Sequence, residues 1–273
     1  MADQTIDTGT TQLLCTIRDS VAIITLNRPE ARNAFSPEIR EALPTTVNRM
    51  LDDPAVGALL ITGAGTAFCA GGDVKGMGDN RKVGEETPEA RIRASKLRHR
   101  ATTGPLVAAK KPTIAALPGA AAGAGMALAM ACDIRVAAES AFLSTGYARI
   151  GLSGDYGIAW LMMRAIGEAR ALELLLTCER IDSARAERIG LVNRVVLDAE
   201  LQQKAFELAK QLANGPRVAL RNIKANLEDA RNLDFLSAVD VEAERVYASS
   251  QTADHKEAVR AFVEKRPAVF RDR

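Results

Sequence analysis

Hydrophobic and polar positions follow two periods along this chain. Short β-branched runs at Val21–Leu26 (VAIITL), Val56–Thr62 (VGALLIT), Thr113–Leu117 (TIAAL), Asp133–Val136 (DIRV) and Leu191–Val196 (LVNRVV) read as strands. Longer segments of helical period lie between them. Ser36-Pro37-Glu38 supplies an N-cap, a proline at the first helical position and a first-turn acid, which predicts a helix running toward Leu51. Helix and strand alternate, so an α/β class is expected.

From Asp198 onward the strand signal disappears. The pattern becomes helical, broken at Gly215-Pro216 and around Asn232 to Asp234. Phe235, Ala238, Val239 and Val246 recur at spacings of three and four, which suits docking against a core or a neighbouring subunit. Residues 1–197 are therefore expected to form a core and 198–273 a helical subdomain. No low-complexity linker or strict repeat separates them, so two independent domains are not inferred.

Composition narrows the chemistry. The 273 residues carry 36 Lys and Arg against 34 Asp and Glu and are 47% hydrophobic, a poor fit to disorder or to a surface that coats nucleic acid. A chain this long can bury a substantial core without disulfides. Only two histidines and four cysteines are present, so the chemistry must be done largely without the commonest acid–base side chain and metal ligand. Cys15, Cys69, Cys132 and Cys178 lie far apart with no Cys-x-x-Cys pair, which predicts four reduced, mostly buried thiols and no metal site. The N-terminus, MADQTIDTGTTQ, lacks the order of a secretory signal or transit peptide. The longest apolar stretch, Ala120 to Cys132, is too short to span a bilayer. A cytoplasmic protein with no membrane partner is expected.

Three stretches are candidates for chemistry. Phe68-Cys69-Ala70-Gly71-Gly72-Asp73 follows a strand and turn, and its paired glycines let the backbone approach a ligand and aim N–H groups outward; the plain alternative is a glycine turn. Pro118 to Leu128 passes from strand to helix through small residues, and a helix N-terminus favours an anionic oxygen. Tight helix packing is the alternative there. A dinucleotide fingerprint at Gly123-x-Gly125 fails because its sixth position is Leu128. Ile150 to Gly157 sets Asp155 among glycines just before a helix, either as an N-cap or as a desolvated carboxylate fit for a general base.

Together with Leu26-Asn27-Arg28-Pro29-Glu30-Ala31-Arg32-Asn33-Ala34 and Arg180 to Val196 (RIDSARAERIGLVNRVV), the stretches FCAGGD and PGAAAGAGMALAMACDI resemble the crotonase, or enoyl-CoA hydratase/isomerase, superfamily over nearly the whole chain. The resemblance implies a spiral of β-β-α units, a C-terminal helical trimerisation subdomain and a coenzyme A thioester as substrate. It implies no separate cofactor, since coenzyme A belongs to the substrate, and it implies a homotrimer or homohexamer in fatty-acid-type metabolism. The backbone amides of Gly72 and Ala124 correspond to an oxyanion hole, where two preorganised N–H donors stabilise the thioester oxygen.

The two glutamates that activate water in the family's hydratases fall, by the same resemblance, on Ala127 and Tyr147, so both carboxylates are missing. Asp155 coincides with the acting acid of isomerase relatives, including a ring-epoxide isomerase of phenylacetate breakdown. One carboxylate suffices to take a proton from C2 and return it at C4. Double-bond isomerisation is therefore the favoured expectation, ahead of hydration by Asp155 with Tyr147. An aryl-CoA dehalogenase would use Asp155 as nucleophile, but those relatives carry a Trp where Tyr147 stands and a His where Gly104 stands. A non-catalytic acyl-CoA-binding protein would have no need of Asp155.

The resemblance further places Arg28, Ala70, Asp73 and Lys75 near coenzyme A, where Arg28 and Lys75 would pair with phosphate. Phe262 and Lys265 fit a helix that reaches the adenine region, sometimes from the next subunit. Arg91, Arg93, Lys96, Arg98, His99 and Arg100 lack interleaved aromatics and read as a solvated face or pocket rim rather than an RNA site. His99 has no acid nearby in sequence, and His255 reads as surface.

Overall fold

A computed structural model describes residues 3–73 and 87–271. Its strands are β1 (Gln4–Ile6), β2 (Leu13–Arg18), β3 (Val21–Leu26), β4 (Ala58–Gly63), β5 (Ala67–Cys69), β6 (Thr113–Leu117), β7 (Ala120–Ala122), β8 (Ile134–Ala138), β9 (Phe142–Ser144), β10 (Ile181–Asp182) and β11 (Arg194–Val196). The helices are α1 (Pro37–Asp52), α2 (Pro88–Val107), α3 (Ala124–Ala131), α4 (Ile158–Ile166), α5 (Glu168–Thr177), α6 (Ser183–Ile189), α7 (Leu201–Ala213), α8 (Arg217–Asp229), α9 (Phe235–Ser250) and α10 (Ala253–Val263).

Seven strands form a sheet in the order β1-β2-β3-β4-β6-β8-β11, parallel from β3 to β11. Four more form a second sheet in the order β10-β9-β7-β5. The chain repeats one move: a strand in the large sheet, a strand in the small sheet, then a helix, as in β4-β5-α2, β6-β7-α3 and β8-β9-α4. This is the β-β-α spiral expected. Every residue of β4 and β6 is buried, which is why both read as unbroken apolar runs. By contrast, β2 alternates buried Leu13, Cys15 and Ile17 with outward positions because only one face of it meets the core.

Local signals set the helix ends. Ser36 Oγ accepts from the Ile39 N–H at 3.1 Å, with Pro37 beginning α1 behind that cap. The buried stripe Ile39, Leu43, Val47 and Met50 then follows the helical period. All eight residues of α3 are buried, and Gly125 is indispensable there: a methyl group at that position would lie 2.2 Å from the Cys69 carbonyl oxygen. The four cysteines are buried and unpaired.

α7 lays Leu201, Ala205 and Leu208 against the large sheet. Helices α8 and α9 pack on each other and bury no residue fully, so Phe235, Leu236, Val246 and Tyr247 stand exposed. Among the described residues, no helix is long and apolar enough to cross a membrane.

Candidate active site

Four of the predicted site residues come together where the two sheets hand the chain to their helices. Gly71 has φ +94°, and a methyl group there would lie 2.7 Å from the Ala122 oxygen and 3.3 Å from the Ala124 nitrogen. The Gly71-Gly72 backbone therefore runs directly against the start of α3. Phe35 fixes it from the other side, donating its N–H to Gly71 O at 2.8 Å and bridging Gly72 in parallel fashion. Ala124 is the first residue of α3, so its N–H has no intrahelical acceptor. Among the described residues the Gly72 and Ala124 N–H groups make no hydrogen bond.

The FCAGGD turn is pinned by the Arg28 to Ala34 loop. Asn33, fully buried, accepts from the Arg28 N–H at 2.8 Å and donates to Ala64 O and Ala67 O at 2.9 and 2.7 Å. Ala70 gives its N–H to Arg32 O at 2.9 Å. Arg28 and Asp73 meet in an ion pair of 2.9 Å, so the expected phosphate-binding cation has a carboxylate beside it. Lys75 lies outside the described residues.

Tyr147 and Asp155 bracket a loop that turns back on itself through Gly151 and Gly154, both at positive φ. Ile150 and Leu152 both donate to the Tyr147 carbonyl at 3.0 Å. The loop returns Asp155 to Tyr147, whose hydroxyl donates to Asp155 Oδ1 at 2.5 Å, a charge-assisted contact. Tyr147 is 5% exposed, and its ring faces Gly123, the N-cap of α3, at 3.9 Å from where a methyl would stand. The contacts thus run from Gly71 through Ala124 and Gly123 to Tyr147 and Asp155.

Asp155 is not an N-cap. Gly157 occupies that position at α4 without a side-chain bond, leaving the half-buried carboxylate to Tyr147. Burial pushes the Tyr147 phenol well above its ordinary range, and the Asp155 charge and the hydrogen bond between them push the same way. Tyr147 is consequently a neutral donor.

A neighbour from α2 joins this cluster. His99, on α2, stacks on Tyr156 with ring centroids 4.2 Å apart, and Tyr156 meets Phe35 edge-on at 5.9 Å. Thr103 Oγ1 donates to the Tyr156 carbonyl at 3.0 Å. Tyr156 has φ +51°, a costly conformation for a bulky residue, and it directly follows Asp155. Burial lowers the His99 pKa, with Arg98 and Arg40 adding to that effect, while Asp155 opposes it. His99 therefore does have an acid near it, one that lies 56 positions along the chain and shows no local signal. Phe262 is 86% exposed near the end of α10, and Lys265 follows it at φ +52°. Among the described residues neither forms a hydrogen bond, ion pair or ring contact with Tyr147, Asp155, Tyr156 or His99.

The two-sheet β-β-α spiral, with its Gly71-Gly72 turn against the start of α3 and the Tyr147–Asp155 pair next to Gly123, defines a class of α/β fold. The chain belongs to the enoyl-CoA hydratase/isomerase family, whose model matches residues 16–273. It is 36% identical over 253 residues to the "Probable enoyl-CoA hydratase" of Mycobacterium bovis, covering 93% of this chain and 95% of that one. It is 34% identical over 259 residues to the 1,2-epoxyphenylacetyl-CoA isomerase of Escherichia coli K12, covering 94% and 97%. The crystal structure of an enoyl-CoA hydratase from Polaromonas sp. JS666 superposes with a TM-score of 0.87 at 34% identity, covering 95% of this chain and 99% of that one. Homologues carrying both hydratase and isomerase names support an enzyme of one of these two types.

Proposed function

We propose that this chain moves the double bond of a 3-enoyl-CoA to C2, with Asp155 as the single proton carrier. The observation that carries the reading is the 2.5 Å hydrogen bond from Tyr147 to Asp155 Oδ1. It ties down one carboxylate oxygen and leaves Oδ2 to work. Asp155 takes the proton from C2, the electron pair moves into a dienolate, and the same carboxyl group returns the proton at C4. Gly72 and Ala124 would receive the thioester oxygen as charge builds on it, at about 3–4 kcal/mol per donor. Because only main-chain atoms act there, Ala124 serves as well as glycine.

Tyr147 holds its proton, so the pair offers one titrating group rather than two. A shuttle needs one; the family's two-glutamate hydration needs two, and Ala127 and Tyr147 stand where those glutamates are implied. The test is Asp155→Asn with 3-enoyl-CoA: turnover should fall by at least about a hundredfold, and unchanged turnover eliminates the role. A second reading, hydration with Asp155 and Tyr147 orienting water, draws support from the name of the Mycobacterium bovis relative. Steady formation of 3-hydroxyacyl-CoA from 2-enoyl-CoA would favour it.

We extend the proposal to assembly as a homotrimer or homohexamer, with residues 198–273 contributing the helical oligomerisation region. The exposed apolar side chains of α8 and α9 support this, and light scattering on the purified protein tests it. Substrate contacts by Arg28, Ala70, Asp73, Lys75, Phe262 and Lys265 belong to the same proposal.

A further inference from the structure

One buried side chain reaches both halves of the site. Phe35 stands between the loop that pins the FCAGGD turn and the start of α1, and it is 1% exposed. Its place is set from both sides. Asn33 before it is fully buried at φ +57° and makes three hydrogen bonds, while Ser36 after it caps α1 and gives its hydroxyl to Gln12 Oε1 at 2.6 Å. The main chain and the ring of Phe35 then serve different partners. The N–H donates to Gly71 O at 2.8 Å and the strand bridge runs to Gly72. The ring meets Tyr156 edge-on, with centroids 5.9 Å apart and planes at 75°, a favoured arrangement for an aromatic pair.

Tyr156 is joined directly to Asp155. Its ring is also stacked by His99, its carbonyl accepts from Thr103 Oγ1 at 3.0 Å, and the Asp155 carbonyl accepts from the Ile158 N–H at 3.1 Å. Fixing the Tyr156 ring therefore fixes the backbone from which the Asp155 carboxylate reaches Tyr147. We propose that Phe35 is a positioning residue that keeps the Gly72 donor and the Asp155 carboxylate in register, its ring acting on Asp155 through Tyr156. The proposal rests on the acyl-CoA reading above, in which Gly72 receives the thioester oxygen and Asp155 moves the proton. Any residue at position 35 could make the main-chain bond to Gly71; the aromatic ring is what the contact with Tyr156 requires.

The test is Phe35→Leu, which keeps the main-chain bonds and most of the apolar bulk and removes the ring contact. On 3-enoyl-CoA, kcat should fall about three- to tenfold with KM changed less than about twofold. In proton NMR without substrate, the Tyr147 hydroxyl proton, carried downfield by its short bond to Asp155, should shift upfield or broaden. Tyr156→Leu breaks the same contact from the other side and serves if Phe35→Leu does not fold; the double variant should be little worse than either single one. Tyr156→Phe, which keeps the ring, should lose far less turnover than Tyr156→Leu. Unchanged kcat or an unmoved resonance in folded Phe35→Leu protein overturns the proposal, and so do losses that multiply in the double variant. If the unsubstituted protein moves no double bond, the isomerase reading fails by itself, and the resonance, which needs no turnover, still decides whether Phe35 holds Asp155.

Discussion

Tyr147→Phe isolates the contact on which the mechanism turns. The tyrosine ring is 5% exposed and packed against the Gly123 turn, so phenylalanine should occupy the same space and only the hydroxyl is lost. That hydroxyl makes a 2.5 Å bond to a carboxylate. Hydrogen bonds to charged groups contribute roughly 1.5–3 kcal/mol, or about ten- to a hundredfold in rate if the bond serves mainly to aim the base. Asp155 is half-buried rather than sealed, so water can replace part of the lost donor and the lower end applies. Steady-state kinetics on 3-enoyl-CoA should therefore show kcat down about tenfold with KM changed less than about twofold. Thermal melting should move by only a few degrees. Unchanged kcat in a folded Tyr147→Phe protein would refute the claim that this bond positions Asp155.

Other regions give separate expectations. Gly125→Ala sets a methyl 2.2 Å from a backbone oxygen that no rotamer change can clear, so it should cost about 3 kcal/mol and lower Tm by roughly 6–12 °C in differential scanning calorimetry. The buried thiols should resist Ellman's reagent until the protein unfolds; burial pushes Cys69 and Cys132 up to about 12 and Cys15 to about 11, so rapid labelling of any of these three in native protein would contradict the packing. His99 has its pKa held below the ordinary 6.5, so the unfolded chain takes up that proton first. Its contribution to stability is complete above about 6.5 and is lost as pH falls through the folded-state value, and His99→Gln should flatten this part of the stability–pH curve measured by denaturant titration.

Much of the fold was legible because its strongest signals are local. β3 and β6 match their apolar runs residue for residue, and the Ser36 cap forms as written. β5, β9 and β10 are too short to show a period, since two or three residues carry none. β2 did carry a signal, the alternation of Leu13, Cys15 and Ile17. At the site, the glycines of FCAGGD and the small-residue start of α3 announced a close backbone approach. What the sequence hides is tertiary. Only the folded loop decides that Asp155 serves Tyr147 instead of capping α4. The approach of His99 and Thr103 to Tyr156 depends on how α2 packs, which no spacing in α2 encodes.

The most direct test follows the proton itself. 3-Enoyl-CoA deuterated at C2 is turned over in ordinary water, and the product is examined by NMR under single-turnover conditions. A single carboxylate shuttle predicts 2-enoyl-CoA with part of the deuterium delivered to C4, and loss of that transfer in Asp155→Asn. Formation of 3-hydroxyacyl-CoA without double-bond movement, or equal transfer in Asp155→Asn, would contradict it.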